Sequence, residues 1–212
     1  NDNTTYKFNQ ELRLSTRLGS QLDWLIGGYY THEYSPYGLT VLASDPEGRP
    51  VGSLWVDRFF STYVEWAGFT TLTAHITERF DVELGGRSAR IKQSYGDTAE
   101  GPYVPLVLGQ DSPFVTPESF VHEDAFTYLL TPRLKLSPDL MIYARLASGY
   151  RPGGINTNST LGLPPLFKPD KTHNYELGVK GSALDRRVSF DVSVYYIDWA
   201  GIQVNLFNPE SG

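Results

Sequence analysis

The chain has 212 residues, with 18 Lys and Arg against 24 Asp and Glu for a formal charge of -6, and it contains no cysteine. Without cysteine there is neither a disulfide framework nor a thiolate metal site, and an acidic chain with scattered basic residues argues against a nucleic-acid surface. No apolar run approaches the roughly 20 residues of a spanning helix, since Gly27 and Gly28 interrupt even Trp24 to Tyr30. Any membrane association must come from strands, whose alternation hides an apolar face behind a polar average hydropathy.

Eight strands are predicted, at Tyr6 to Arg17, Gln21 to Tyr34, Asp57 to Ile76, Phe80 to Tyr95, Glu123 to Leu136, Leu140 to Tyr150, Thr172 to Ser182 and Arg187 to Trp199. The clearest alternation is the last, where Val188, Phe190, Val192, Val194 and Tyr196 are interleaved with Ser189, Asp191 and Ser193. Short connections at 18–20, 77–79, 137–139 and 183–186 alternate with long, Pro- and Gly-rich ones at 35–56, 96–122 and 151–171. Short turns on one rim and long loops on the other are the signature of an outer-membrane barrel. A soluble Greek key scatters its long connections over both ends.

A basic residue on the lipid face at the midplane costs about 2–4 kcal/mol. Arg145, Glu176, Lys180 and Asp191 should therefore line the lumen, with Ile142, Leu146, Leu177, Val179, Phe190 and Val192 toward lipid. The third strand breaks the pattern, because Trp66, Phe69 and Leu72 do not share one parity; a bulge or a misplaced boundary would account for it. Glycines inside strands, Gly27, Gly28, Gly85, Gly86, Gly149 and Gly178, either let the wall curve, the simpler reading, or let plug side chains approach. Aromatics near strand ends, including Tyr29, Tyr30, Phe59, Phe60, Tyr128, Tyr150, Tyr195, Tyr196 and Trp199, fit interfacial girdles or a sandwich core equally well.

Several segments resemble the barrels of TonB-dependent outer-membrane receptors. They are Phe8 to Leu14 with Leu22 to Tyr30; Ala67 to Phe69 with Ile76 to Phe80 and Leu84 to Arg87; Ala147 to Asn156; Phe167 to Asp170 with Asn174 to Gly181; and Tyr195 to Trp199 with Ile202 and Gln203. Each alone is a strand with glycines, but they occur in the family's order over nearly the whole chain. The resemblance implies an all-β, antiparallel transmembrane β-barrel of about 22 strands closed by a plug domain, of which residues 1–212 would be a partial barrel domain lacking the plug and the remaining strands. It further implies an outer-membrane active-transport receptor of a Gram-negative bacterium that imports a scarce ligand such as a ferric siderophore, a haem, vitamin B12 or a sugar, a ferric siderophore or similar iron complex being favoured, with energy relayed by the TonB-ExbB-ExbD system. The implied partners are the plug, outer-membrane lipid and lipopolysaccharide, and the small-molecule ligand; no nucleic acid and no cofactor is expected.

Glu11, Arg13, Arg87, Arg145, Glu176 and Lys180 are candidates for a lumen ladder that meets the plug or solvates the wall. Arg151 and Asn156, opening a long external loop, are candidates for contact with an anionic or oxygen-rich ligand; loop shaping, with Arg151 among lipopolysaccharide phosphates or loop carbonyls, is the simpler reading. His32, His122 and His173 fall near external ends and with His75 show no metal spacing, so exposed loop residues are expected rather than a composite metal or haem site. No catalytic pair is recognisable. Two rivals make distinct demands. A self-contained eight-stranded barrel of structural or adhesive role must pair Tyr6 to Arg17 with Arg187 to Trp199, and a soluble sandwich must pack Leu177, Phe190 and Val192 against a second sheet.

Overall fold

A computed structural model describes residues 2–156 and 164–204. In chain order the elements are β1 (Asp2–Asn3), β2 (Tyr6–Leu18), β3 (Leu22–Ser44), β4 (Pro50–His75), β5 (Phe80–Glu100), the one-turn helix α1 (Val104–Leu108), β6 (Phe114–Ser137), β7 (Leu140–Arg151), β8 (Gly154–Ile155), β9 (Leu166–Phe167), β10 (Asp170–Ala183) and β11 (Val188–Ala200). All eight predicted strands are present. They form one antiparallel sheet in the order β3-β4-β5-β6-β7-β10-β11, with β2 and the short β1 both paired to β3; β8 and β9 make a separate hairpin. Among the described residues β2 pairs only with β3 and β11 only with β10, so the sheet does not close on itself and the eight-stranded barrel is rejected.

Cross-strand partners share a face, so the registers assign every side chain. Leu12, Leu14, Ile26, Leu84, Phe126, Ile142, Leu177, Val192 and Val194 all belong to one face and are exposed there. Leu177 and Val192 are 63% and 58% accessible, and among the described residues no second sheet lies over them, which removes the sandwich. The opposite face carries the charges and most of the burial: Thr31, Ala67, Asp81, Ala89, Ile91, Ala125 and Thr131 lie on it. An apolar face open to the surroundings and a polar, better-packed face inside is inverted relative to a soluble domain and is what hydrocarbon selects.

The band's geometry agrees. The row of partners that begins at Tyr196 on β11 ends at Thr16 on β2, yet the outward aromatics of β2 start at Phe8, eight residues further along. Spread over the strand-to-strand steps between β11 and β2, at about 3.3 Å per residue and about 4.8 Å per strand, this climb corresponds to a strand tilt of about 38°, within the range for outer-membrane barrels. The short turns climb in parallel: the row of Leu22 reaches Val194 on β11, whereas the β10–β11 turn lies beyond Val188. Projected through that tilt, the stretch from Phe8 to Leu18 is about 26 Å tall, matching an apolar band of about 25 Å.

Two predicted long loops prove to be mostly strand. The 35–56 connection is a continuous β3–β4 hairpin turning at Asp45 to Arg49, and 96–122 is strand except around α1. As a result β3, β4, β5 and β6 have 23, 26, 21 and 24 residues, while β2, β7, β10 and β11 have 13, 12, 14 and 13. Beyond the membrane both faces meet water, so alternation ceases to be required, and cross-strand aromatics such as Tyr37 on Phe59 at 4.5 Å hold the pairing instead. Only the third long connection, carrying β8 and β9, keeps the character of a loop in its described residues.

Candidate ligand-facing wall

All six predicted lumen residues fall on the inner face. Glu11 and Arg13 form an ion pair on β2, and the Arg13 guanidinium lies 5.8 Å from the Phe69 ring centre. Arg87 donates to Glu65, which also accepts from the Tyr63 hydroxyl at 2.8 Å, and sits 5.2 Å from the Tyr29 ring centre. Across β7, β10 and β11, Arg145 pairs in register with Glu176, Tyr143 donates to Glu176 at 2.6 Å, and Lys180 meets Asp191 at 2.7 Å. The structure thus distributes the six among three clusters rather than one site. Each cluster joins opposite charges, within β2 for Glu11 and Arg13 and across neighbouring strands for the other two, so the wall is polar yet locally neutralised.

Phe69 resolves the parity conflict of the third strand. Trp66 and Leu72 point outward as girdle and lipid-facing groups, whereas Phe69 points inward with no register shift nearby and lies across Gly27 of β3. A Cβ on Gly27 would overlap that ring. The same arrangement recurs on β10, where the Tyr143 ring covers Gly178 and Lys180 stands 5.3 Å over it. At these two positions glycine serves close approach of a ring, not the curvature expected from sequence. The inner wall therefore has two ring-on-glycine contacts, each capped by a cation.

Aromatics divide between the faces. Tyr30 packs against Trp66 in a tilted pair with ring centres 4.2 Å apart on the outer face, and Tyr34–Phe60 and Tyr175–Tyr196 continue that girdle. Tyr29 and Tyr150 instead pack on the inner alanines Ala67, Ala89 and Ala125. Tyr195, Ile197 and Trp199 occupy the inner face of β11.

At the extracellular end the wall carries a junction that sequence reasoning missed. Pairing between β6 and β7 stops above Leu129 and Ala147, and the chain after β7 turns in over β5 and β6. Glu123 accepts from the Tyr150 hydroxyl at 2.6 Å and from the Gly153 amide at 2.9 Å, while Gln93 donates to the Gly153 carbonyl at 2.8 Å. The signal available was parity, since Glu123 and Gln93 fall in phase with Ala125 and Ile91 on the inner face.

Arg151 is engaged within the fold. Its Nε donates to Asp170 at 2.9 Å and a terminal nitrogen donates to the same carboxylate; the guanidinium also lies 6.0 Å from the Trp199 ring centre. Those hydrogen bonds hold the Asp170 carboxyl below its usual range. Arg151 thereby clamps the base of the third loop to β10 and β11. The Asn156 amide donates to the Pro165 carbonyl at 2.8 Å, closing that loop's β8–β9 hairpin.

Higher on the inner side, in the extension beyond the membrane, Asp57 and Asp97 each have one buried oxygen without a hydrogen-bond partner. Burial and then the neighbouring Asp97 charge push the Asp57 carboxyl up, and burial with Asp97 likewise raises the Tyr95 phenol. His32 and His122 are exposed on the outer face, as is the row of His173, whose Nδ1 lies 3.1 Å from the Tyr128 hydroxyl; none points to the bore. His75 sits at the opposite rim, 2.8 Å from Asp23. Among the described residues no group of three or more His, Asp or Glu is placed to hold a metal ion.

An open, tilted antiparallel sheet with a lipid-facing apolar band and a charged inner face is a section of an outer-membrane β-barrel. The family model described as TonB dependent receptor-like, beta-barrel matches residues 1–212, and the chain belongs to that family. Pesticin receptors of Yersinia enterocolitica and Yersinia pestis are 30% identical over 146 residues, covering 68% of this chain and 20% of theirs. The chain thus spans about a fifth of the curated relatives it matches. Among solved structures, the ferric yersiniabactin uptake receptor FyuA from Yersinia pestis superposes with a TM-score of 0.74 at 22% identity, over 95% of this chain and 30% of that one. The siderophore receptor PiuA from Acinetobacter baumannii gives 0.70 at 15% identity, over 91% and 31%. At these identities the superpositions establish the fold. The family consists of transport receptors, not enzymes, and its barrels reside in the outer membrane of Gram-negative bacteria.

Proposed function

We propose that residues 1–212 form one section of a larger receptor barrel that captures a ferric siderophore or similar iron complex at its extracellular face and imports it with TonB-relayed energy. The observation carrying this reading is the inner wall. Paired charges on a face that would otherwise be solvated give a plug domain a polar, rigid surface to dock on and leave, without the dry contact that would lock it in place. The likeness to a ferric yersiniabactin uptake receptor and a siderophore receptor supports iron complexes as the ligand class. In this reading Glu11, Arg13, Arg87, Arg145, Glu176 and Lys180 face the plug. Arg151 acts on the ligand through the loop it anchors rather than by touching it.

The test is uptake by the full-length gene product expressed in a strain lacking its own siderophore receptors, fed radiolabelled iron on siderophores of different chelating chemistry. Accumulation of at least one complex that disappears when tonB is deleted is the expected result. Equal accumulation with and without TonB, or none of any iron complex despite a folded surface receptor, would overturn it.

A further inference from the structure

Between β6 and β7 the wall parts. The last ladder pairs are Leu130 with Leu146 and Leu129 with Ala147; one row above, the Tyr128 amide donates to the Ser148 hydroxyl at 2.9 Å in place of a strand partner. From there β6 continues upward paired with β5 alone, and β7 continues paired with β10 alone. A strand edge left open exposes a row of backbone donors and acceptors, and folded proteins cover such edges with a loop, a helix or charges. Here two edges face each other across a slot that leads from the outer surface into the bore.

Residues 150–155 fill the inner side of that slot as a strap that leaves the end of β7 and crosses onto β6 and β5. Its root and its crossing are held by different groups. At the root Arg151 is bound to Asp170, and Gln203, just beyond β11, donates to the Pro152 and Lys168 carbonyls at 3.0 Å each. At the crossing one Glu123 oxygen accepts both the Tyr150 hydroxyl and the Gly153 amide, while Gln93 donates to the Gly153 carbonyl. The root contacts fix where the strap starts, and the wall contacts fix which way it runs. Gly153 is the tight point, because a Cβ there would overlap the Phe167 carbonyl and the Glu123 carboxylate.

Glu123 is also held differently from its counterparts on the inner face. Glu65 and Asp191 are paired with Arg87 and Lys180, whereas Glu123 has no ion-pair partner among the described residues and takes two neutral donors. The strap therefore needs an acceptor at that point, not a charge. We propose that Glu123 is a positioning residue that holds the strap across the β6–β7 slot and so seals the mouth against sideways entry and escape of the transported complex. The purpose of such a seal rests on the transport reading above; the seal itself is testable with no iron complex present.

The test uses the intact receptor in detergent, any native cysteine replaced, with one reporter: Ala125→Cys, buried under Tyr150, or Thr71→Cys, on the inner face toward the short turns. Residues 1–212 contribute no cysteine of their own. Labelling by a maleimide carrying a bulky polymer is timed against a small maleimide. With Glu123→Ala, polymer labelling at the Ala125 reporter is expected to rise at least about tenfold, as loss of two hydrogen bonds implies, while the Thr71 reporter is unchanged. Glu123→Gln keeps an acceptor oxygen and should stay at the wild-type rate. Gly153→Val pushes the strap off the wall from the loop's own side and should reproduce the alanine result, which keeps the test decisive if Glu123→Ala does not fold. Polymer labelling of the unmodified strap at the small-reagent rate, no rise with either disrupting variant, an equal rise with Glu123→Gln, or a rise at both reporters would each overturn the proposal. Failure to import any iron complex would leave these rates untouched, so the two readings fail separately.

Discussion

On β10, Leu177 is exposed and Val179 half-buried on the outer face, while Glu176 and Lys180, their chain neighbours, are held by Tyr143 and Asp191 on the other side of the same backbone. Propensity cannot distinguish these positions, for all four lie in one ladder with continuous register. The difference is solvent. Within the membrane the outer face gains from every exposed apolar group and carries no charge, and the inner face neutralises Glu176 and Lys180 through partners on the neighbouring strands. Stability on the outer face is thus a one-body property, whereas on the inner face it belongs to pairs.

The largest contrast should come from placing one arginine on each face. Val179→Arg, near the middle of the outer band, is expected to cost about 2–4 kcal/mol in reversible unfolding of the full-length protein in lipid. Thr73→Arg, on the inner face between Asp23 and Glu83, should stay within about 0.5 kcal/mol. Equal costs would mean that the faces are wrongly assigned.

Next is the ring on Gly178. Gly178→Ala forces the Tyr143 ring off its seat and should cost about 1–3 kcal/mol, most of it relieved when Tyr143→Ala is added, because the penalty resides in the pair. Additive costs in that double mutant would return the glycine to a simple curvature role. A milder effect is expected for Arg151→Ala, which frees the base of the third loop: hydrogen exchange at 164–172 should quicken while the β3–β4 hairpin is unchanged, and Arg151→Lys should restore it only in part because one ammonium cannot replace the forked contact.

The smallest effect is pH-dependent. Because the folded Asp57 carboxyl titrates above its unfolded value, its contribution is most favourable below the unfolded value and is lost as pH rises through the folded one. Asp57→Asn should therefore slow hydrogen exchange of the β3–β4 extension at neutral pH, with the gap from wild type closing on acidification. A gap that widens toward acid would show Asp57 to be paired.

Much of this was legible in the residues. Strict alternation placed Arg145, Glu176, Lys180 and Asp191 inside and Ile142, Leu177, Phe190 and Val192 outside, because hydrocarbon enforces period two wherever a strand crosses it. Above the membrane that constraint lapses. Ser35 to Val56, with its prolines and glycines, therefore looked like a loop although most of it is paired. Phe69 was ambiguous for a different reason: an inward aromatic needs a partner without a side chain, and that partner, Gly27, is far away in sequence. The Glu123–Tyr150–Gly153 junction depends on where β6 and β7 part, which no local pattern records.

The unequal strand lengths set the skyline of the receptor. A crossing consumes about 10 residues of each strand, so β4 continues for about 15 more and, at the inferred slant, stands roughly 40 Å proud of the bilayer. Along β7, β10 and β11 the strands finish almost level with the lipid headgroups. A molecule drifting in from outside meets a tall screen on one flank and a low sill on the other, so access to this part of the rim is one-sided before any specific contact forms.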